Sequence, residues 1–154
     1  MLCSQARLDG YRAALERAGI AMDPELVRTG DFHYDSALTA ASALLELPDR
    51  PTAIFAASDV QAMGVYEAAR QHGLRLPEDL SVVGFDDVPM AKWVSPPLTT
   101  LRQPLAEMAT LATRTLLAGD TMGLQNRVEL ATTLVVRSST QPPDRPAARK
   151  RARA

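Results

Sequence analysis

The chain has 154 residues, 46% of them hydrophobic, which is enough to bury one core and too little for two complete domains. A formal net charge of −1 gives the molecule as a whole no electrostatic pull toward nucleic acid or an anionic membrane surface. Cys3 is the only cysteine, which excludes an internal disulfide and a thiolate zinc cluster and suits a reducing compartment.

Leu8, Tyr11, Leu15 and Ala18 recur at helical spacing, with Ser4 available as a cap and Gly19 after the last turn, and this predicts an amphipathic helix. Asp23-Pro24 marks a loop. Leu26-Val27-Arg28 is a short strand candidate ending in the turn-forming run Thr29-Gly30-Asp31. A second helix is predicted from Tyr34 to Leu47, with Ala37, Leu38, Ala41, Leu44 and Leu45 on one face and Pro48 stopping it. Thr52 to Ala57 is an apolar run too short for a stable helix, and it reads as a strand buried on both faces. Ser58-Asp59 opens a third helix, carried by Met63, Val65, Tyr66 and Ala69 and ended by Gly73, with Asp59 assigned as its cap. Leu80 to Phe85 is a further buried strand, closed by Asp86-Asp87. Strands and helices alternating through short polar turns imply parallel strands joined by crossovers. The fold class that follows is α/β, a doubly wound parallel sheet in a three-layer αβα arrangement.

After Pro96-Pro97 the rhythm changes to an extended Leu98 to Arg102, a helix from about Pro104 to Leu117 stopped by Gly119-Asp120, and a strand from about Val128 to Arg137. From Pro142 onward five basic residues face one acidic residue, a net charge of +4 that leaves −5 for the body, and this Pro- and Ala-rich end reads as disordered. Met1 to Arg12 lacks the basic-then-apolar order of a signal peptide, and no run approaches the roughly 18 apolar residues that cross a bilayer. The expectation is a soluble cytoplasmic protein without a membrane partner.

Four stretches carry a resemblance: Arg7-Leu8-Asp9-Gly10-Tyr11-Arg12-Ala13-Ala14-Leu15, Ala57-Ser58-Asp59-Val60-Gln61-Ala62-Met63-Gly64, Ser81-Val82-Val83-Gly84-Phe85-Asp86-Asp87, and Pro96-Pro97-Leu98-Thr99-Thr100-Leu101-Arg102-Gln103. In order and spacing, over most of residues 4 to 138, the chain resembles the effector-binding half of the lactose-repressor (LacI/GalR-type) family of transcription regulators. The resemblance implies part of a two-lobed, periplasmic-binding-protein-like fold that closes on a ligand between its lobes. Residues 1–101 would form the C-terminal lobe without its first strand. Residues 102–138 would supply a crossover strand, a helix of the other lobe and a return strand, and 139–154 a disordered basic tail. The headpiece that binds DNA, the early part of the first lobe and the opening strand of the second would all precede Met1. The helix at Pro104 to Leu117 would then lack its packing partner and the sheet would keep an open edge. Both features favour association, so a homodimer is expected.

Ligands of open α/β sheets bind beyond the carboxyl ends of the strands. Asp86 stands there, and a carboxylate at such a mouth can accept from two neighbouring sugar hydroxyls. The resemblance assigns it to the ligand; its plainer alternative is capping the next turn. Arg7 matches a family arginine that reaches the ligand, where a guanidinium fork donates two bonds, against the alternative of a solvated arginine. Ser58 stands where many relatives carry asparagine and offers one hydroxyl in its place. Phe32 matches an aromatic position that stacks on a sugar ring, although a half-buried core phenylalanine fits equally well. Gln103 resembles a hinge glutamine, and His33 and His72 read as surface residues.

The partners implied are a small-molecule effector, a sugar or sugar derivative, and operator DNA only through a headpiece outside this chain, with no cofactor. A competing enzyme reading would gather Asp59, Asp86 and Asp87 around magnesium, but no phosphate loop or nucleophile–base pair accompanies them. A periplasmic-type sugar-binding protein lacking its front end shares the same cleft and stands as the alternative. Because a closed cleft needs both walls, the isolated chain is expected to bind sugar weakly or not at all.

Overall fold

The computed structural model describes residues 2–117 and 128–143. Helix α1 (Leu2–Arg17) ends where Gly19 takes a left-handed φ of 67°, which lets the Ile20 amide donate back to the Leu15 carbonyl at 2.9 Å. Helix α3 (Asp59–Gln71) ends by the same device: Gly73 has φ 67° and the Leu74 amide donates to Ala69 at 2.9 Å. Helix α2 (Tyr34–Leu45) stops two residues before the predicted Leu47, with Glu46 already the cap.

Four strands form one sheet in the order β1-β2-β3-β4. β1 (Ala53–Phe55) and β2 (Ser81–Asp86) are parallel, with Ile54 opposite Val82. β2 and β3 (Thr99–Arg102) are also parallel, with Gly84 opposite Thr100, whereas β4 (Thr133–Val135) runs antiparallel to β3. The sheet is therefore mixed, and the link from β2 to β3 carries a 3-10 turn at Pro89–Lys92. The predicted strand of 128–137 contracts to β4.

The core lies between the sheet and the α2–α3 pair. Leu80, Val82, Leu98, Ala62 and Ala68 are fully buried there. α2 and α3 approach so closely that a Cβ on Gly64 would stand 2.6 Å from the Tyr34 carbonyl oxygen and 2.7 Å from the Leu38 nitrogen. Only glycine fits that crossing.

Three expectations fail for identifiable reasons. Leu26-Val27-Arg28 is no strand: Pro24–Leu26 forms a 3-10 turn, held by the Asp23 side chain accepting from the Glu25 amide at 2.9 Å, and no described strand lies beside it to pair with. β1 is not buried on both faces, since Ala53 and Phe55 are exposed and only Ile54 turns toward the core. Within the stretch expected to be a disordered tail, Ser139 is fully buried: its hydroxyl donates to the Val82 carbonyl at 2.6 Å, its carbonyl accepts from the Val82 amide, and its oxygen accepts from the Thr99 amide. Residues 144–154 of that tail, and Gly119-Asp120, lie outside the described residues. Helix α4 (Leu105–Leu117) buries none of its residues and leaves Leu116 and Leu117 open to solvent. No helix among the described residues is long and apolar enough to cross a membrane.

Candidate functional site

The end of β2 carries two consecutive non-glycine residues of positive φ. Asp86 has φ 120° and Asp87 φ 57°, successive positive values that non-glycine residues rarely adopt and that persist only where surrounding contacts hold them. Those contacts come from both carboxylates and from a third.

The side chain of Asp87 is nearly inaccessible. Arg137 donates to one of its oxygens at 2.5 Å and Arg102 to the other at 2.6 Å, while Arg137 also donates to the Leu98 carbonyl at 2.7 Å. Burial pushes the Asp87 carboxyl up, but the two guanidinium bonds outweigh it and hold the group below the ordinary aspartate range. Asp59, fully buried, accepts from the Thr100 hydroxyl at 2.5 Å and from the Val88 amide at 2.8 Å. Here burial wins over those hydrogen bonds and raises the carboxyl above its ordinary value. Asp59 thus ties the start of α3 to β3 and to the loop just past Asp87. Opposite Thr100, Gly84 leaves room for it, since a Cβ on that glycine would collide with the Asp59 carboxylate.

This corrects the expectation that Asp59 caps α3. The cap of α3 is Ser58, whose Oγ accepts from the Gln61 amide at 3.2 Å, and not Asp59. Ser58 is also only 5% exposed. Its oxygen accepts that one amide bond, which leaves the hydroxyl proton to donate elsewhere.

The other expected site residues gather in two linked groups. Gln103, one residue beyond β3, donates from Nε2 to the Asp86 carboxylate at 2.6 Å. Arg7 reaches out from α1 to donate to the Ala57 carbonyl at 2.5 Å, its guanidinium 3.8 Å from the Phe85 ring centroid and 5.6 Å from that of Phe32. Such cation–π contacts are worth about 0.5 to 2 kcal/mol according to how dry they are. Phe32 is brought there by a turn in which it has φ 69°; the Asp31 carboxylate accepts from the His33 amide at 3.0 Å and from the Ser36 hydroxyl. The Ser36 bond, with help from the His33 amide, lowers the Asp31 carboxyl. Arg7, Phe85 and Gln103 line a single open groove of about 670 Å³ between α1 and the sheet. The three carboxylates of the magnesium reading each have separate partners, and no cluster of metal-ligating side chains occurs among the described residues. His33 is exposed at the start of α2, and His72 sits at the end of α3 with Nδ1 2.8 Å from the Ala68 carbonyl.

A mixed sheet whose three parallel strands have polar side chains collected past their carboxyl ends, with β3 leading into a helix that buries none of its described residues, is the architecture of a cleft-binding α/β domain. The chain belongs to the periplasmic binding protein-like domain family, which matches residues 3–140. Its relatives are LacI-type transcriptional repressors, and the match covers their effector-binding domain alone. The ribose operon repressor of Haemophilus influenzae is 45% identical over 74% of this chain and 34% of its own length. The HTH-type transcriptional repressor CytR of Escherichia coli is 41% identical over 88% of this chain and 40% of its own. Among solved structures, a complex of the transcriptional regulator CelR with cellobiose is 42% identical with a TM-score of 0.76, covering 86% of this chain and 41% of that one. A LacI-type regulator from Bacillus cereus reaches a TM-score of 0.85 at 27% identity, covering 90% of this chain and 50% of that one. The chain spans about two fifths of the length of the curated relatives it matches.

Several residues of this region escape a reading of the sequence. Arg137 and Arg102 as partners of Asp87, Thr100 as partner of Asp59, and Phe85 beneath Arg7 are all contacts between distant segments. The one local hint is that Arg102 closes the extended run from Leu98.

Proposed function

We propose that this chain is the effector-sensing part of a LacI-type regulator and contributes one wall of a sugar cleft. In this reading Asp86 accepts from ligand hydroxyls, Arg7 donates to them, and Phe32 offers a ring face to the apolar side of the sugar. The observation that carries the proposal is the pairing of Gln103 with Asp86 at 2.6 Å, next to the Arg7–Phe85 stack. A carboxylate held at a strand mouth with a replaceable neutral donor is already arranged to exchange that donor for a hydroxyl. Two solved relatives are described with sugars bound, cellobiose in one and ribose in another, which favours a carbohydrate here. DNA binding, repression and pairing into a dimer belong to the longer protein in this proposal. The cytoplasm, where DNA-binding repressors act, is the compartment it implies.

Gln103 has a second part in this reading. It sits on the segment joining β3 to α4, so exchanging its bond to Asp86 for a sugar hydroxyl frees the connection to the other lobe. Ligand occupancy and lobe position would be coupled at that point, on the order of 1 to 3 kcal/mol in a complete regulator.

Saturation-transfer NMR of the purified chain with D-ribose and with cellobiose tests the proposal. Transfer to ligand protons is expected in the wild type, with an affinity no tighter than about millimolar because one wall is absent, and is lost in Asp86→Ala. Equal transfer in both proteins would refute the assignment of Asp86, and micromolar affinity would refute the two-wall argument.

A further inference from the structure

Residues 86 to 88 are each anchored by a side chain from another segment. The Asp86 carboxylate accepts from Gln103 at 2.6 Å, the Asp87 carboxylate accepts from Arg102 and Arg137, and the Val88 amide donates to Asp59 at 2.8 Å.

The Asp87 anchor is built differently from the other two. Its side chain is 3% exposed, and its two oxygens serve two guanidinium groups. Arg137 is the fixed member of the pair. It is 13% exposed, and it donates through Nη1 to the Leu98 carbonyl at 2.7 Å and through Nη2 to Asp87, while its backbone amide donates to the Thr99 hydroxyl oxygen at 2.9 Å. A planar fork divided between two acceptors has little freedom to turn. Arg102, 53% exposed, adds a bond from Nε that solvent weakens. The two arginines also stand at the two ends of one excursion of the chain. Arg102 is the last residue of β3, which leads out to α4, and Arg137 lies just past β4, which returns to the sheet. One carboxylate therefore fastens both the outgoing and the returning segment to the end of β2.

The backbone shows what this anchor holds in place. Aspartate tolerates the φ of 57° at position 87 better than most residues do, but the φ of 120° at Asp86 is a conformation that glycine adopts and side chains resist. With Asp87 released, both residues relax toward negative φ. Rotation about the N–Cα bond of Asp86 then carries its Cβ, and with it the carboxylate, away from Gln103. We infer that Asp87 is a positioning residue of the ligand mouth: gripped by Arg137 and Arg102, it holds the backbone that presents the Asp86 carboxylate to Gln103 and to a ligand hydroxyl. This rests on the reading of Asp86 as a ligand acceptor given above.

The test begins without ligand, on the Gln103 side-chain amide protons followed by NMR in the purified chain. Asp86→Ala sets their position when the bond to Asp86 is lost. Asp87→Asn keeps a side chain that tolerates positive φ and removes the charge that grips the arginines, so it is expected to move the Gln103 protons at least about half of the way to that position. Arg137→Met is expected to do the same, and Arg102→Met to move them far less. Arg137→Lys, which keeps the cation, replaces either variant that fails to fold and is expected to give an intermediate displacement. Gly64→Ala, which destabilises a helix crossing elsewhere, is expected to leave the protons in place. Resonances unmoved in the folded Asp87 and Arg137 variants, or moved as far by Gly64→Ala, would overturn the inference. In saturation-transfer titrations with D-ribose and cellobiose, Asp87→Asn is expected to bind about tenfold more weakly than the wild type, the equivalent of about 1.4 kcal/mol. Unchanged affinity would overturn the inference as well. Absence of transfer in the wild type would instead refute the assignment of Asp86 to a ligand, and the Gln103 protons would still decide whether Asp87 positions it.

Discussion

Replacing Asp59 by alanine tests how the strand-end loop is held. In the wild type a fully buried carboxylate takes the Thr100 hydroxyl at 2.5 Å and the Val88 amide at 2.8 Å, so the variant leaves one buried and one half-buried donor without acceptors. Each such donor costs about 1 to 3 kcal/mol. The variant also relieves a desolvation cost, evident in the raised carboxyl, so the net loss is placed at about 2 to 4 kcal/mol. Urea unfolding at neutral pH, followed by far-ultraviolet circular dichroism, reads this as a lower midpoint at unchanged slope. The pH dependence adds a sign. Because the folded carboxyl lies above the ordinary aspartate value, the unfolded chain ionises first, and the contribution of Asp59 declines as pH rises from about 3.8 through the folded value. That decline is expected to vanish in Asp59→Asn. A loss below about 0.5 kcal/mol in Asp59→Ala would refute the claim that this carboxylate fastens α3 to β3 and to the loop after Asp87.

Gly64→Ala is expected to destabilise by about 1 to 3 kcal/mol through overpacking of the α2–α3 crossing, measured by the same unfolding curves. Ser58→Ala removes the α3 cap and is expected to cost about 0.5 to 2 kcal/mol while leaving sugar contacts intact, which separates its structural part from a ligand role. For Asp87 the sign is opposite to that of Asp59: its folded value is depressed, so its stabilisation is present above the ordinary aspartate range and is lost as pH falls through the folded value. Asp87→Asn is expected to flatten the acid limb of stability measured between about pH 2 and 5. Gln103→Ala is expected to change stability by only about 0.5 to 1.5 kcal/mol.

Much of the fold can be read directly, because the apolar runs at Thr52 and Leu80 and the two helices ended by Gly19 and Gly73 leave little choice of element. What could not be read depends on partners remote in sequence. Leu26-Val27-Arg28 has strand-like residues, yet strand character is realised only beside another strand, and none of those described adjoins it. Both Ser58 and Asp59 are capable caps. The choice between them is made by Thr100, 41 positions away, and by the missing side chain at Gly84, which together give the Asp59 carboxylate a buried place. Asp86 is visible as a candidate because the apolar run Leu80 to Phe85 ends at it, and Gln103 through the resemblance. The Asp87 clamp is not visible, since its arginines come from β3 and from beyond β4. Ser139 was hidden for a different reason: a proline-rich basic composition describes the end of the chain, while hydrogen bonds to Val82 and Thr99 govern where it leaves the sheet.

The central claim is that the carboxyl ends of this sheet form one wall of a sugar cleft. Amide and side-chain chemical-shift mapping with saturating D-ribose or cellobiose addresses it most directly. The largest changes are predicted at Arg7, Phe32, Asp86 and Gln103. Changes confined to α4 or to the outer faces of α2 and α3, or none with either sugar, would contradict it.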